Sequence, residues 1–190
     1  RLRTPLDRPG GGSGGREPRF DLEVEPGGYA WWYLDALSDD RRCGLTLIAF
    51  VGSVFSPYYS AARRRGPARP ENHCAFNVAL YSTSAAGEAQ GPTPTRWAMT
   101  ERGETALTRK TDMLAIGPSR LDWDGQTLTA TIKEVTCPWP SSLRGTVRLH
   151  TEAIAQRVVQ LDASGRHRWQ PIAPSARVEV QLDEPGGRWS

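Results

Sequence analysis

A chain of 190 residues, 38% of them hydrophobic, has room for one domain with a packed core and too little for two large ones; no run approaches the roughly 18 consecutive apolar residues of a membrane-spanning helix. The formal charge of +3 and pI near 9.0 come almost wholly from arginines spread along the chain, since Lys110 and Lys133 are the only lysines, and such a spread argues against a nucleic-acid partner. Cys43, Cys74 and Cys137 are far apart, form no Cys-x-x-Cys pair and accompany no two histidines at ligand spacing, which argues against a disulfide framework and a metal centre.

The first residues are rich in Gly, Pro and Arg and lack apolar periodicity. They cannot bury enough surface to offset chain entropy, so residues 1–19 read as a disordered lead-in, with order beginning near Phe20. Nothing there has the apolar run of a secretory signal. Pro26-Gly27-Gly28 is a turn, after which Tyr29 to Leu37 alternates. Tyr29, Trp31, Tyr33 and Asp35 share one face of that strand, and Ala30, Trp32, Leu34 and Ala36 the other. Gly44 to Val51 contains the longest apolar stretch and reads as a strand buried on both faces.

Ser56 is a good N-cap, Pro57 suits the first helical position and Gly66 can close the C-terminus, which predicts a two-turn helix between them. Arg63, Arg64 and Arg65 would sit in its last turn, complementing the helix dipole. Strands are expected over His73–Tyr81, Thr127–Val135, Gly145–Thr151, Val158–Leu161, His167–Ala173 and Ala176–Leu182, with loops over Arg65–Asn72 and Ser82–Thr95. Asp124-Gly125 and Ser164-Gly165 are tight hairpin signals. Many short strands and a single short helix predict an all-β fold, an antiparallel barrel or sandwich.

Five ordered segments of this pattern resemble the carotenoid 1,2-hydratase family. They are Gly28-Tyr29-Ala30-Trp31-Trp32-Tyr33-Leu34-Asp35-Ala36, Ser53-Val54-Phe55-Ser56-Pro57-Tyr58-Tyr59, Asn72-His73-Cys74, Arg96-Trp97-Ala98-Met99-Thr100-Glu101-Arg102-Gly103 and Gly165-Arg166-His167-Arg168-Trp169-Gln170-Pro171-Ile172. The resemblance runs from Phe20 to Ser190. It implies a lipocalin-like β domain over residues 20–190, incomplete at its C-terminal end and followed in the family by a second such domain. It also implies a bacterial enzyme of carotenoid biosynthesis that hydrates the C-1,2 bond of an acyclic carotene, neurosporene or lycopene, without a cofactor. Such an enzyme would be cytoplasmic and would sit at the surface of the inner or intracytoplasmic membrane, where its water-insoluble substrate is found. The alternative within the same fold is a non-catalytic carrier of a terpenoid or lipid.

Hydrating an isolated alkene needs a strong proton donor, protection of the resulting cation and a group that handles water. A carboxylic acid in a low-polarity pocket can be the donor, because desolvation keeps it protonated. Aromatic faces stabilise the cation through their quadrupole. On a strand His167 and Trp169 point the same way, with Arg166 and Arg168 opposite, so one face offers a base and an aromatic ring. The resemblance implies the same pair, joined in the family by a later Tyr-x-Asp that would fall beyond Ser190. Tyr33 and Asp35 form the comparable Tyr-x-Asp within the chain: either a carboxyl among aromatics or a strand-end Asp accepting backbone hydrogen bonds. His73 either serves the site or holds a loop against the domain, and His150 is expected to face solvent. No Ser-His-Asp order or phosphate-cradling glycine loop is present.

Overall fold

A computed structural model describes residues 17–82, 95–184 and 186–190. Residues 1–16 of the expected lead-in and most of the expected loop after Ser82 lie outside the described residues. The Phe20 ring is fully buried and packs on Trp32 with centroids 5.4 Å apart, while the Trp32 indole N–H donates to the Arg19 carbonyl at 3.0 Å.

The architecture is all-β, as expected, and takes the sandwich form. One antiparallel sheet contains β1 (Ala30–Leu37), β2 (Cys43–Val51), β3 (Cys74–Ser82) and β4 (Arg96–Arg102), in that order. The other contains β5 (Leu107–Arg109), β6 (Met113–Ile116), β7 (Ser119–Trp123), β8 (Thr127–Val135), β9 (Ser142–Thr151), β12 (Ala176–Glu184) and β13 (Gly187–Trp189). Its order is β13-β12-β9-β8-β7-β6-β5. A separate hairpin pairs β10 (Val159–Gln160) with β11 (Arg168–Trp169). The sheets meet through residues of period two: Trp32 and Leu34 from β1, Leu45 and Leu47 from β2, Ile132 from β8 and Val147 from β9 are all in the core.

Helix α1 (Pro57–Arg65) has the expected punctuation, with Ser56 as N-cap, Pro57 first and Gly66 as C-cap. The Ser56 hydroxyl accepts from Tyr59 N at 3.0 Å, satisfying one of the free N–H groups of the first turn.

Four expectations are corrected. The strand placed over His167–Ala173 shrinks to Arg168–Trp169, because Pro171 and Pro174 have no N–H to extend a ladder. His73 closes a single 3₁₀ turn (Pro70–Asn72), donating its backbone N–H to Pro70 O at 3.0 Å, so β3 begins one residue later. Strand β2 is buried on both faces only over Ala49, Phe50 and Val51; before them Leu45 and Leu47 are buried while the intervening Thr46 and Ile48 are half-buried. Strands β4 to β7 fill a region where no strand was expected; β5, β6 and β7 have only three to five residues each, too short to show alternation.

One buried ion pair links the sheets. Glu134, on the core face of β8 and 3% exposed, is bridged by both terminal nitrogens of Arg102 from β4, at 3.2 and 2.7 Å. Its remaining acceptor capacity is met by the Ser119 hydroxyl at 2.7 Å.

The cysteines give a direct test of this packing. Burial pushes the Cys74 thiol up to about 11, whereas Cys137 is exposed. The thiolate is the reactive form. At pH 8 a disulfide reagent should therefore label Cys137 within minutes and Cys74 only after denaturation; equal labelling rates in the folded chain would contradict the burial.

Candidate active site

The outer face of the four-stranded sheet is a grid set by its register. Trp31, Phe50, Ala75 and Glu101 form one row across the strands, and Tyr33, Ile48, Asn77 and Met99 the next. Asp35, Thr46, Ala79 and Trp97 form a third row. At the usual strand spacing each row is about 14 Å wide. The face is largely apolar and exposed at its outer strands, with Tyr33 55% exposed and Trp31 and Trp97 exposed as well, whereas Phe50, Ala75, Asn77 and Ala79 in its centre are buried. Trp97 is held by an indole N–H bond to Asn77 Oδ1 at 2.7 Å.

The β2–β3 connection folds over one end of this face. It turns at Gly52, φ +76°, where a Cβ would lie 2.6 Å from Gly28 O and 2.9 Å from Pro70 Cβ, so only glycine fits. Phe55 then stands edge-on to Phe50 with centroids 5.4 Å apart. Glu101 takes the Ser56 hydroxyl on one carboxylate oxygen at 2.5 Å and lies 2.5 Å from His73 Nδ1 through the other. Tyr59 is fully buried; its ring lies 4.8 Å from that of His73 and its hydroxyl donates to Gly28 O at 2.5 Å. Burial, the largest cause, raises the Tyr59 phenol above its ordinary range. His73 thus joins a loop to the sheet through Glu101.

His167 stands at the same end of the face, beside the β1 edge, where Ala30 pairs with Val51. Its Nδ1 is 2.6 Å from the Tyr29 hydroxyl, and the two rings stack with centroids 5.7 Å apart and 23° between planes. Tyr29 in turn lies 5.5 Å from Trp31, and Trp31 lies 6.0 Å from Phe50. A continuous aromatic line therefore runs from Phe55 through Phe50, Trp31 and Tyr29 to His167. The His167 backbone is fixed by the hairpin turn: its N–H donates to Asp162 Oδ1 at 2.8 Å, and its carbonyl accepts from Leu161 N at 2.8 Å. Trp169, two residues on, is 46% exposed and opposite Val159 in the ladder.

Tyr33 and Asp35 lie farther along the same face, opposite Ile48 and Thr46. No hydrogen bond or ring contact joins them to His167 among the described residues. Asp35 is exposed. The Tyr33 phenol is raised, first by burial and then by the Asp35 charge. His150 is half-exposed on the other sheet, with Glu179 Oε1 3.8 Å from its Nε2. It borders an open cleft of ≈ 580 Å³ with Thr127 and Glu152; a second cleft of ≈ 520 Å³ lies between Trp97 and Trp139. The first cleft is also lined by Ile154 and Gln156, which flank Ala155, bonded to Ile172 and Gln170 just after the His167 hairpin. No three His, Cys, Asp or Glu side chains converge to hold a metal among the described residues.

The residues that local reading missed are Tyr29 as the partner of His167, and Glu101. Period-two alternation had already put Tyr29 on the face of Trp31, and the same period through Trp97 and Met99 would have put Glu101 there.

Residues 47–190 match the family described as carotenoid hydratase CrtC. The chain is 55% identical over 182 residues to an acyclic carotenoid 1,2-hydratase of Thiocapsa roseopersicina, covering 96% of this chain and 43% of that protein. It is 54% identical over 177 residues to the Rubrivivax gelatinosus protein of the same name, covering 91% and 41%. The Cereibacter sphaeroides protein of that name is 40% identical over 144 residues, covering 75% and 47%. The chain thus spans less than half the length of the curated relatives it matches. No solved structure matches it. With three quarters of its residues inside the family match and over half of its aligned positions identical to two hydratases, the chain belongs to the carotenoid hydratase family.

Proposed function

We propose that the protein is a carotenoid 1,2-hydratase that adds water across the terminal C-1,2 bond of an acyclic carotene, neurosporene or lycopene, to give the 1-hydroxy product without a cofactor. The observation that carries this reading is the 55% identity to an acyclic carotenoid 1,2-hydratase over nearly the whole chain. The hydratase names of these relatives weigh against a non-catalytic carrier. Protonation at C-2 leaves a tertiary cation at C-1. Water attacks that carbon, its oxygen forms the new C–O bond, and its spare proton leaves to a base. His167 is the base or water-orienting group, and Trp169 faces the developing cation. Tyr29 adjoins His167 and Trp31 adjoins Tyr29, extending the aromatic surroundings of the reacting end. The proton donor is assigned to an Asp of a Tyr-x-Asp segment in the part of the relatives' length that these 190 residues do not include, together with a second β domain. The net reaction returns the donor's proton from water.

The test is an assay of two chains, these 190 residues and a chain of the relatives' length, against lycopene or neurosporene, with 1-hydroxy product followed by chromatography. The longer chain should turn over and the 190-residue chain should not. Comparable turnover by both would remove the assigned donor.

We also propose that the protein works in the cytoplasm at a membrane surface, reached through α1 and the loop before it. Phe55 and Tyr58, 62% and 72% exposed, stand beside Arg63, Arg64 and Arg65, which are exposed in the last turn. Tyr59, by contrast, faces inward and serves the scaffold. No helix among the described residues is long and apolar enough to cross a membrane. Binding to anionic vesicles should weaken with salt and on replacing Arg63, Arg64 and Arg65 together by Ala. Equal sedimentation of the triple variant would remove the membrane proposal.

A further inference from the structure

The β10–β11 hairpin that carries His167 has only two residues in each strand and belongs to neither large sheet. A two-stranded ladder this short is a weak support on its own. The His167 side chain therefore depends on what it meets outside the hairpin, and the contact it makes there is with Tyr29, 138 residues away in sequence.

Tyr29 is well fixed. It directly precedes β1, where Ala30 pairs with Val51, and its ring leans on Trp31. Its own approach is tied down on both sides of the turn: Gly27 N donates to Ala68 O at 2.7 Å and Gly28 N to Glu25 O at 2.8 Å. The buried Tyr59 hydroxyl donates to Gly28 O. Tyr59 is held from below by the ring of His73, which Glu101 anchors. This polar cluster thus supports the position of Tyr29.

We infer that Tyr29 is a positioning residue for His167, accepting Nδ1–H on its phenolic oxygen so that Nε2 is left bare towards the attacking water. The inference rests on the hydratase reading and follows from proton bookkeeping. Nδ1 is occupied by Tyr29, so a proton taken from water must arrive at Nε2, and Nε2 can accept one only if the hydrogen of the neutral ring is on Nδ1. A phenol oxygen can accept that hydrogen. The same Nδ1–H···O bond then serves the neutral ring before transfer and the imidazolium after it, so nothing need reorganise during the step. The stacked ring plane adds a second constraint on orientation.

The experiment uses a chain of the relatives' length with ¹⁵N-labelled histidine, and compares wild type with Tyr29→Phe, which keeps the stacked ring and removes the oxygen. In the wild type the His167 imidazole should carry its hydrogen on Nδ1; in Tyr29→Phe the population should move towards the Nε2–H form. Turnover of lycopene by Tyr29→Phe should fall roughly tenfold, the scale of one ordinary hydrogen bond, with KM within about twofold and an unchanged thermal midpoint. A purely structural Tyr29 would instead lower the midpoint and leave the tautomer alone, and that result would overturn the inference. So would a wild-type Nε2–H ring, or full kcat in Tyr29→Phe. If the wild type does not hydrate lycopene at all, the hydratase reading itself is lost, an outcome visible in the kinetic arm whatever the tautomer shows.

Discussion

His167→Ala, in a chain of the relatives' length, is expected to lower carotene hydration by roughly 10²–10⁴-fold, the range typical of general acid–base groups. Its neighbour Arg168→Ala should leave turnover nearly intact. The contrast comes from the hairpin. Arg168 turns its guanidinium back on the hairpin, with Nε donating to Gly165 O at 3.3 Å. His167 instead reaches across to Tyr29 and the aromatic line behind it. If Trp169 faces the cation as proposed, Trp169→Phe, which keeps an aromatic face, should cost less than Trp169→Ala. Circular dichroism on each variant separates lost chemistry from lost fold. Activity that survives His167→Ala but disappears in a folded Arg168→Ala would reverse the assigned facing and the mechanism with it.

The largest stability loss is expected at Arg102→Ala. Glu134 is enclosed between the sheets, with two bonds from Arg102 and one from Ser119. Removing the guanidinium leaves a buried carboxylate without its counter-charge, a change that costs about 3–5 kcal/mol in comparable pairs. A domain of ordinary stability has about 5–15 kcal/mol in total, so a loss of this size should be plain in the urea midpoint. Adding Glu134→Leu to Arg102→Ala should recover much of the loss, because the apolar pair no longer strands a charge. A single Arg102→Ala variant with a wild-type midpoint would mean that the pair does not clamp the sheets.

What was legible in the sequence was local. Helix α1 could be read from Ser56, Pro57 and Gly66 because each satisfies or closes backbone groups within its own turn, and β8 has the expected bounds, Thr127–Val135. Alternation assigned both faces of β1, with Trp32 and Leu34 buried and Trp31 and Tyr33 outside. It failed where its assumptions failed. An apolar run in β2 reads as doubly buried, but on its outer face Thr46 and Ile48 are only half-buried; β5 to β7 are too short to show a period; Pro171 and Pro174 cut β11. The site divides the same way. The His-x-Trp spacing is local and visible, whereas the Tyr29 contact to His167 and the Glu101 contact to His73 span 138 and 28 residues and follow only from strand order and register.

The most direct test of the proposed activity is the origin of the oxygen. A chain of the relatives' length, incubated with lycopene in heavy-oxygen water, without dioxygen and with no added cofactor, should form a 1-hydroxy carotene that carries the heavy label at C-1. Mass spectrometry of the purified product reads this directly. An unlabelled hydroxyl, or product that forms only when dioxygen and a reductant are supplied, would contradict hydration as the reaction.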